Sequence, residues 1–216
     1  RDFGIEEVPF EVSLGRILKE DILADRDMPP FDRVSMDGIA INTEAFNVGK
    51  REFQIENIQA AGSKQLELVH KQNCLEAMTG AILPSGTDAV IPYELIDIHN
   101  GTASVKIDEI KYFQNIHKKG LDRKNAEVLI SKNTTISSAE IGVLATVGKS
   151  LVKVAALPKI AIVSTGDELV DVEDKPEPYQ IRKSNVHTLA SLLKNYKLSA
   201  DLFHITDDKE KLRDKI

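Results

Sequence analysis

The spacing of apolar residues changes several times along the chain, and each change predicts an element. Val8 to Leu23 (VPFEVSLGRILKEDIL) reads as one or two helical turns followed by an extended run. Asp27-Met28-Pro29-Pro30 must then leave regular structure, because adjacent prolines fix φ and remove backbone donors; a domain boundary is placed there. Further on, Phe53-Ile55-Ile58 and Leu66-Leu68-Val69 each predict a strand. The clearest pattern lies between Ala89 and Ile107. Here AVIPYELIDIH and TASVKI are β-prone runs flanking Asn100-Gly101, a dipeptide that accepts the positive φ values of a type I′ turn. They predict a β-hairpin inside a compact β-rich module from about 30 to 115.

The second half of the chain switches to alternating helix and strand patterns. Ser137-Ser138-Ala139-Glu140 has the form of a capping box and Gly148 suits a helix C-cap, so residues 138–147 are predicted helical. Leu151 to Ala155 reads as a short strand that Pro158 ends, and residues 159–164 (KIAIVS) form a continuous apolar run typical of a strand covered on both faces. Ser184-Asn185 can cap a helix whose stripe is Val186, Leu189, Leu193 and Tyr196, with Leu192 beside it, and Leu198 to Ile205 reads as the next strand. That order predicts a right-handed βαβ unit and the start of a parallel sheet. Thr206-Asp207-Asp208 begins a further predicted helix. Two strands and two helices do not complete a doubly wound sheet, so the sequence is expected to stop inside a domain. No internal repeat or low-complexity tract is present.

Composition narrows the functional classes. The 216 residues carry 28 Lys plus Arg against 34 Asp plus Glu, a formal charge of −6, and so provide no chain-wide basic field for a nucleic-acid backbone. The single cysteine, Cys74, rules out an internal disulfide and a multi-cysteine zinc site and suits a reducing compartment. No apolar run approaches the roughly 20 residues of a membrane span, and Arg1 to Glu7 lacks the apolar segment of a signal peptide. A cytoplasmic location, with neither nucleic acid nor membrane as partner, is expected.

Four segments carry candidate chemistry. Residues 29–38 (PPFDRVSMDG) place two carboxylates, a hydroxyl and a glycine in a loop able to present oxygen ligands to a hard cation; composition alone favours a domain-linking turn. Residues 78–88 (MTGAILPSGTD) combine Gly80 and Gly86 with the hydroxyls of Thr79, Ser85 and Thr87, which suits an oxyanion, although a plain loop has the same composition. Ser164-Thr165-Gly166-Asp167-Glu168-Leu169 follows the predicted buried strand, where open α/β sheets bind ligands, and makes Asp167 and Glu168 acid/base or metal-ligand candidates. Residues 117–124 (HKKGLDRK) concentrate positive charge and suit a phosphate-bearing small molecule or a solvated surface. The five histidines show no close ligand spacing.

The wording and order of these segments resemble one family, the molybdopterin molybdenumtransferases (MoeA in bacteria, the E domain of gephyrin in animals). The resemblance runs through PPFDRVSMDGIAI, MTGAILPSGTDAVIPYE, NIHKKGLD, TTISSAEIGVLATVG and PKIAIVSTGDEL, with Ser184-Asn185 beyond, and so covers essentially the whole chain. It implies insertion of molybdate into adenylated molybdopterin with release of AMP and a requirement for Mg²⁺. It implies catalytic roles for Asp37, Thr79 and Glu168, with Asp37 and Glu168 holding the ion or its waters. By the same resemblance Ser35, Gly80, Asp122, Lys118, Lys119, Thr165, Gly166, Asp167 and Asn185 are expected to bind substrate. The implied fold is α/β and β-rich and multidomain. A linking domain is built from residues 1–26 and 124–155, a β-rich domain of residues 27–123 is inserted in it, and residues 156–216 begin a Rossmann-like parallel α/β domain related to the molybdopterin adenylyltransferases. An elongated homodimer, an adenylyltransferase partner, and a fragment inactive alone are also implied.

Three positions depart from the family pattern. His117 and Glu76 stand where the family usually has arginine, and Leu121 where it has glutamate. Loss of guanidinium groups weakens bidentate oxyanion binding, which leaves a non-catalytic pterin-binding or scaffold homologue as the alternative function. A nucleotide-dependent enzyme of another kind ranks last, because no G-x-G-x-x-G follows the strand at 159–164.

Overall fold

The computed structural model describes residues 3–206. In chain order it begins with β1 (Ile5–Pro9), a 3₁₀ turn at Phe10–Val12, β2 (Ile22–Leu23), β3 (Arg33–Val34), β4 (Gly38–Ile41), α1 (Thr43–Asn47), β5 (Glu52–Gln59), β6 (Cys74–Ala77) and β7 (Ala89–Pro92). It continues through β8 (Ile96–His99), β9 (Thr102–Val105), β10 (Ile116–His117), β11 (Val128–Ile130) and α2 (Ser138–Thr146). The last elements are β12 (Leu151–Ala155), β13 (Ile160–Thr165), β14 (Leu169–Val170), β15 (Ile181–Arg182), α3 (Asn185–Asn195) and β16 (Ala200–Ile205). Two compact units result: residues 9–152, and residues 1–8 with 153–216.

The first unit is organised by a six-stranded mixed sheet in the order β7-β4-β6-β5-β9-β8. Only the β5/β6 pairing is parallel, and residues 60–73 make the crossover that a parallel pair needs. Strand β4 is central to the packing: it pairs antiparallel with β6 on one edge and β7 on the other, and all four of its residues are buried. Alternation sends Ile39 and Ile41 to one face, where they meet Phe46, Phe53, Cys74 and Ile91, while Ala40 faces Val34, Ala77, Leu83 and Val90 on the other. The strand has no room for a side chain at its first residue. A Cβ on Gly38 would lie 2.7 Å from the Ile91 carbonyl carbon and 2.8 Å from Pro92 Cα, so a glycine there lets β7 close on β4.

The hairpin forms as predicted around Asn100 (φ 49°) and Gly101 (φ 75°), but it uses only β8 and β9. The run Ala89 to His99 is not one strand: a 3₁₀ turn at Tyr93–Leu95 divides it, and β7 ends up at the opposite edge of the sheet from β8. The cause is Pro92, which lacks the N–H that would continue a ladder. The strand expected at Leu66-Leu68-Val69 is also absent; that segment makes one isolated bridge, Glu67 to Ser85, and Val69 is exposed. Helix α2 carries the predicted capping box, with Ser137 Oγ accepting from the Ala139 amide and Glu140 accepting from the Ser137 amide.

In the second unit β1 runs beside β12, and Ala156 N–H donates to the Gly4 carbonyl. Strands β13 and β16 pair parallel in register from Ile160↔Ala200 to Thr165↔Ile205, with α3 between them in sequence and packed on both. The expectation of a strand covered on both faces is not met. Ile162 is buried but Val163 is 41% exposed, because among the described residues β13 has a single partner strand and a single helix against it. Ser184 begins α3 without a side-chain cap. Of the helix predicted from Thr206-Asp207-Asp208, all but Thr206 lies outside the described residues.

Candidate functional site

The loop 29–37 is held in the first unit by two neighbours distant in sequence. Strand β3 pairs antiparallel with β10, so Arg33 faces His117 and Val34 faces Ile116, and the Ser35 amide donates to the Asn115 carbonyl at 3.0 Å. On its other side Val34 and Ala81 bond through the main chain, Gly80 N–H donates to the Val34 carbonyl at 2.9 Å, and Leu83 N–H donates to the Asp32 carbonyl at 2.8 Å. Gly80 has φ +85°, a backbone shape that a side chain disfavours.

This lacing brings Asp37 and Thr79 together across a separation of 42 residues: the Thr79 amide donates to Asp37 Oδ1 at 2.6 Å. The Thr79 amide and then its side chain hold the Asp37 carboxyl below its ordinary range, so the exposed group is a firm anion at neutral pH. Two further side chains flank this pair: Tyr93, and Glu76 at a position that departs from the family pattern. Tyr93, whose amide donates to the Asp37 carbonyl at 3.2 Å, donates its hydroxyl to Glu76 Oε2 at 2.5 Å. Burial, reinforced by Glu76 and more weakly by Asp37, pushes the Tyr93 phenol well above its usual value, so it remains a donor. Glu76 therefore caps a tyrosine at the rim of the core, and no cation is needed to hold it there.

The basic segment folds back on the same loop. Asp122 N–H donates to the Met28 carbonyl, and His117 Nε2 lies 2.8 Å from Asp122 Oδ1, an arrangement in which that nitrogen carries the proton. The Lys119 amide donates to Asp32 Oδ1 at 2.8 Å, and the Lys118 ammonium lies 4.3 Å from the centre of the Phe113 ring. Leu121 is exposed. Asp122 thus pairs with the histidine that stands in an expected arginine position.

In the second unit Thr165 and Asn185 line one cavity of about 230 Å³ at the carboxyl end of β13. Asp167 and Glu168 are exposed beside it, and Gly166 at φ +129° makes the turn that presents them. The Glu168 carboxylate folds back over the Gly166 backbone, where an added Cβ would lie 2.8 Å from its Oε1. Cys74, by contrast, is fully buried, its thiol pushed up to about 12 first by burial and then by the charges of Glu76 and Glu56. It has no part in the site.

Among the described residues no group of three or more His, Cys, Asp or Glu side chains is arranged to hold a metal, and no helix is long and apolar enough to cross a membrane. The sequence marked Glu76 only as a departure from the family pattern; its meeting with Tyr93 was not legible because it depends on the β6-β4-β7 order.

The family model for the MoeA N-terminal region (domain I and II) matches residues 3–148. A molybdopterin molybdenumtransferase from Synechocystis sp. is 37% identical over 211 residues, covering 97% of this chain and 54% of that protein. One from Staphylococcus epidermidis is 35% identical over 205 residues, covering 93% of this chain and 49% of that protein. Among solved structures, a molybdopterin biosynthesis MoeA protein from Pyrococcus horikoshii is similar with a TM-score of 0.82 at 32% identity over 98% of this chain and 55% of that one. A second structure of MoeA from Pyrococcus horikoshii OT3 gives 0.80 at 30% over 98% and 58%. The chain spans about half the length of the curated relatives it matches. Its matched sequence, its β-rich fold and the laced loops around Asp37 and Thr79 place it in the MoeA family, as a chain carrying that family's N-terminal region.

Proposed function

We propose that this chain is part of a molybdopterin molybdenumtransferase, which inserts molybdate into adenylated molybdopterin and releases AMP in molybdenum cofactor biosynthesis. The observation that carries the reading is the contact between Asp37 and Thr79, two motif residues brought together within a family-matched frame. An ionised carboxylate beside an exposed threonine and the positive-φ Gly80 offers an anion and a donor within one small substrate's reach.

The donor set suits Mg²⁺, which takes one or two carboxylates with substrate phosphates and water rather than a protein cage. Asp37, with its Oδ1 already oriented by Thr79, would supply such a carboxylate, and the ion would neutralise charge at a breaking phosphoanhydride; Glu168, exposed on the other compact unit, is the second carboxylate to which the family resemblance gives this role. Thr79 would orient the substrate; Lys118 and Lys119 supply positive charge near the same loops. Residues 156–216 fit the start of a Rossmann-like domain, with residues 27–123 as a β-rich insertion in a linking domain of residues 1–26 and 124–155; a homodimer, an adenylyltransferase partner and a cytoplasmic location accord with this role. The test is formation of AMP from adenylated molybdopterin by the complete protein. Molybdate-dependent AMP is expected; tight pterin binding without AMP would show the non-catalytic homologue instead.

A further inference from the structure

Asp37 is exposed, as are Ser35 and Met36 before it, so an acid that meets substrate from this loop needs its main chain held as well as its carboxylate. Thr79 holds the carboxylate. The register of the sheet identifies what holds the main chain. Gly38 pairs with Pro92 on one side and Ala77 on the other, so one step outward Asp37 lies opposite Tyr93, whose amide donates to the Asp37 carbonyl at 3.2 Å. Directly opposed residues share a face, and Ile39 is opposed by Ile91 on β7 and by Glu76 on β6. Alternation therefore brings Tyr93, Ile91, Ile39 and Glu76 to one face, where Tyr93 packs against the Ile39 and Ile91 cluster.

From that position the Tyr93 side chain spans β4. It starts beyond the end of β7, and its hydroxyl donates to Glu76 Oε2 on β6 at 2.5 Å. Strands β6 and β7 do not touch in the sheet, because β4 lies between them. The two bonds that fix Asp37 thus come from opposite flanks, Tyr93 from beyond β7 and Thr79 from beyond β6, and the phenol bond to Glu76 ties those flanks together. Glu76 is a firm anchor, since Leu75 and Ala77 on either side of it are buried. With its proton committed to Glu76, the hydroxyl is placed to hold a residue rather than to deliver a proton. An arginine at position 76, which is what the family usually has, would offer the phenol no acceptor.

We propose that Tyr93, anchored on Glu76, is a positioning residue for Asp37: it locks the Asp37 main chain, so that the carboxylate oriented by Thr79 stays where substrate arrives. Glu76 thereby serves as an anchor rather than as an anion-binding group. The inference deepens the proposed reaction and rests on it for what Asp37 does there; the holding itself needs no turnover.

The test uses the complete protein. Tyr93→Phe keeps the ring and removes the hydroxyl. It should slow single-turnover release of AMP from adenylated molybdopterin about tenfold or more, with substrate affinity within about twofold of the parent, because a displaced group costs rate before it costs binding. Glu76→Leu should do the same, and Glu76→Gln, which keeps an oxygen to accept from the phenol, should recover most of the rate. Amide exchange followed by NMR on the same proteins reads the holding directly. Tyr93→Phe and Glu76→Leu should speed exchange at the Thr79 and Tyr93 amides about fivefold or more and leave Ile39 and Ile91 within about twofold. Unchanged exchange at Thr79 and Tyr93 would overturn the proposal, as would equal slowing by Glu76→Gln and Glu76→Leu, or a loss that falls on affinity with the rate intact. Faster exchange at Ile39 and Ile91 as well would also overturn it, by showing that the pair only supports the sheet. A parent protein that releases no AMP would instead sink the proposed reaction, and the exchange rates would still decide whether Tyr93 holds Asp37.

Discussion

In the six-stranded sheet Ile39, Phe53 and Ile91 are fully buried, whereas on β13, α3 and β16 Val163, Leu189 and Phe203 are 41%, 49% and 41% exposed. The local sequences do not foretell this contrast. Residues 38–41 and 160–163 are both short apolar runs, the first opening on a glycine and the second followed by Ser164-Thr165. What separates them is the number of partners: β4 has a strand on each edge and apolar layers on both faces, while among the described residues β13 has one strand and one helix. Burial is set by long-range closure, and an apolar run specifies only that closure is possible.

The largest effect expected from this contrast is in the core of the sheet. Phe53→Ala should cost about 3–5 kcal/mol, as truncations of fully buried aromatics do, while Leu189→Ala should cost about 1 kcal/mol or less. Urea unfolding of the two variants measures both, and equal losses would break the comparison. Next is Gly38→Ala, which forces β4 from β7 and should cost about 1–3 kcal/mol. Its counterpart Gly142→Ala, in α2 with nothing within 4 Å of the added carbon, should instead stabilise by up to about 1 kcal/mol. Thermal melts of the pair would show opposite signs. Ser137→Ala removes one half of a closed capping box and should cost about 1 kcal/mol, read as faster amide exchange in the first turn of α2.

The smallest effect is electrostatic. The Asp37 carboxyl sits below its unfolded value because it accepts the Thr79 amide and then the side chain, so its contribution is present in full above the ordinary carboxylate value and is lost as pH falls through its folded value. Carboxyl NMR should follow that late protonation, and Asp37→Asn should flatten this part of the acid stability profile. A titration at the ordinary value would mean that Thr79 does not hold the group.

Short-range chemistry was legible where it was self-sufficient. Asn100-Gly101 named its turn, Ser137 with Glu140 named its helix start, and Leu151 to Ala155 matched β12 to the residue. Pro92 was read as part of a strand, although its missing N–H divides β7 from β8. Strand β6 was not anticipated, because Cys74 to Ala77 is four residues with a glutamate inside, and that glutamate faces a tyrosine supplied by a segment 17 residues away. In the candidate site, the motif residues Asp37 and Thr79 were legible, but not the hydrogen bond between them.

The central claim, that Asp37 oriented by Thr79 belongs to a working transferase site, is tested most directly by single-turnover release of AMP from adenylated molybdopterin by the complete protein, with molybdate and Mg²⁺ present. Asp37→Asn keeps the shape of the side chain and removes its charge. The account predicts release slowed by about 100-fold or more with substrate binding little changed. Release at the parent rate by a folded Asp37→Asn protein would contradict it.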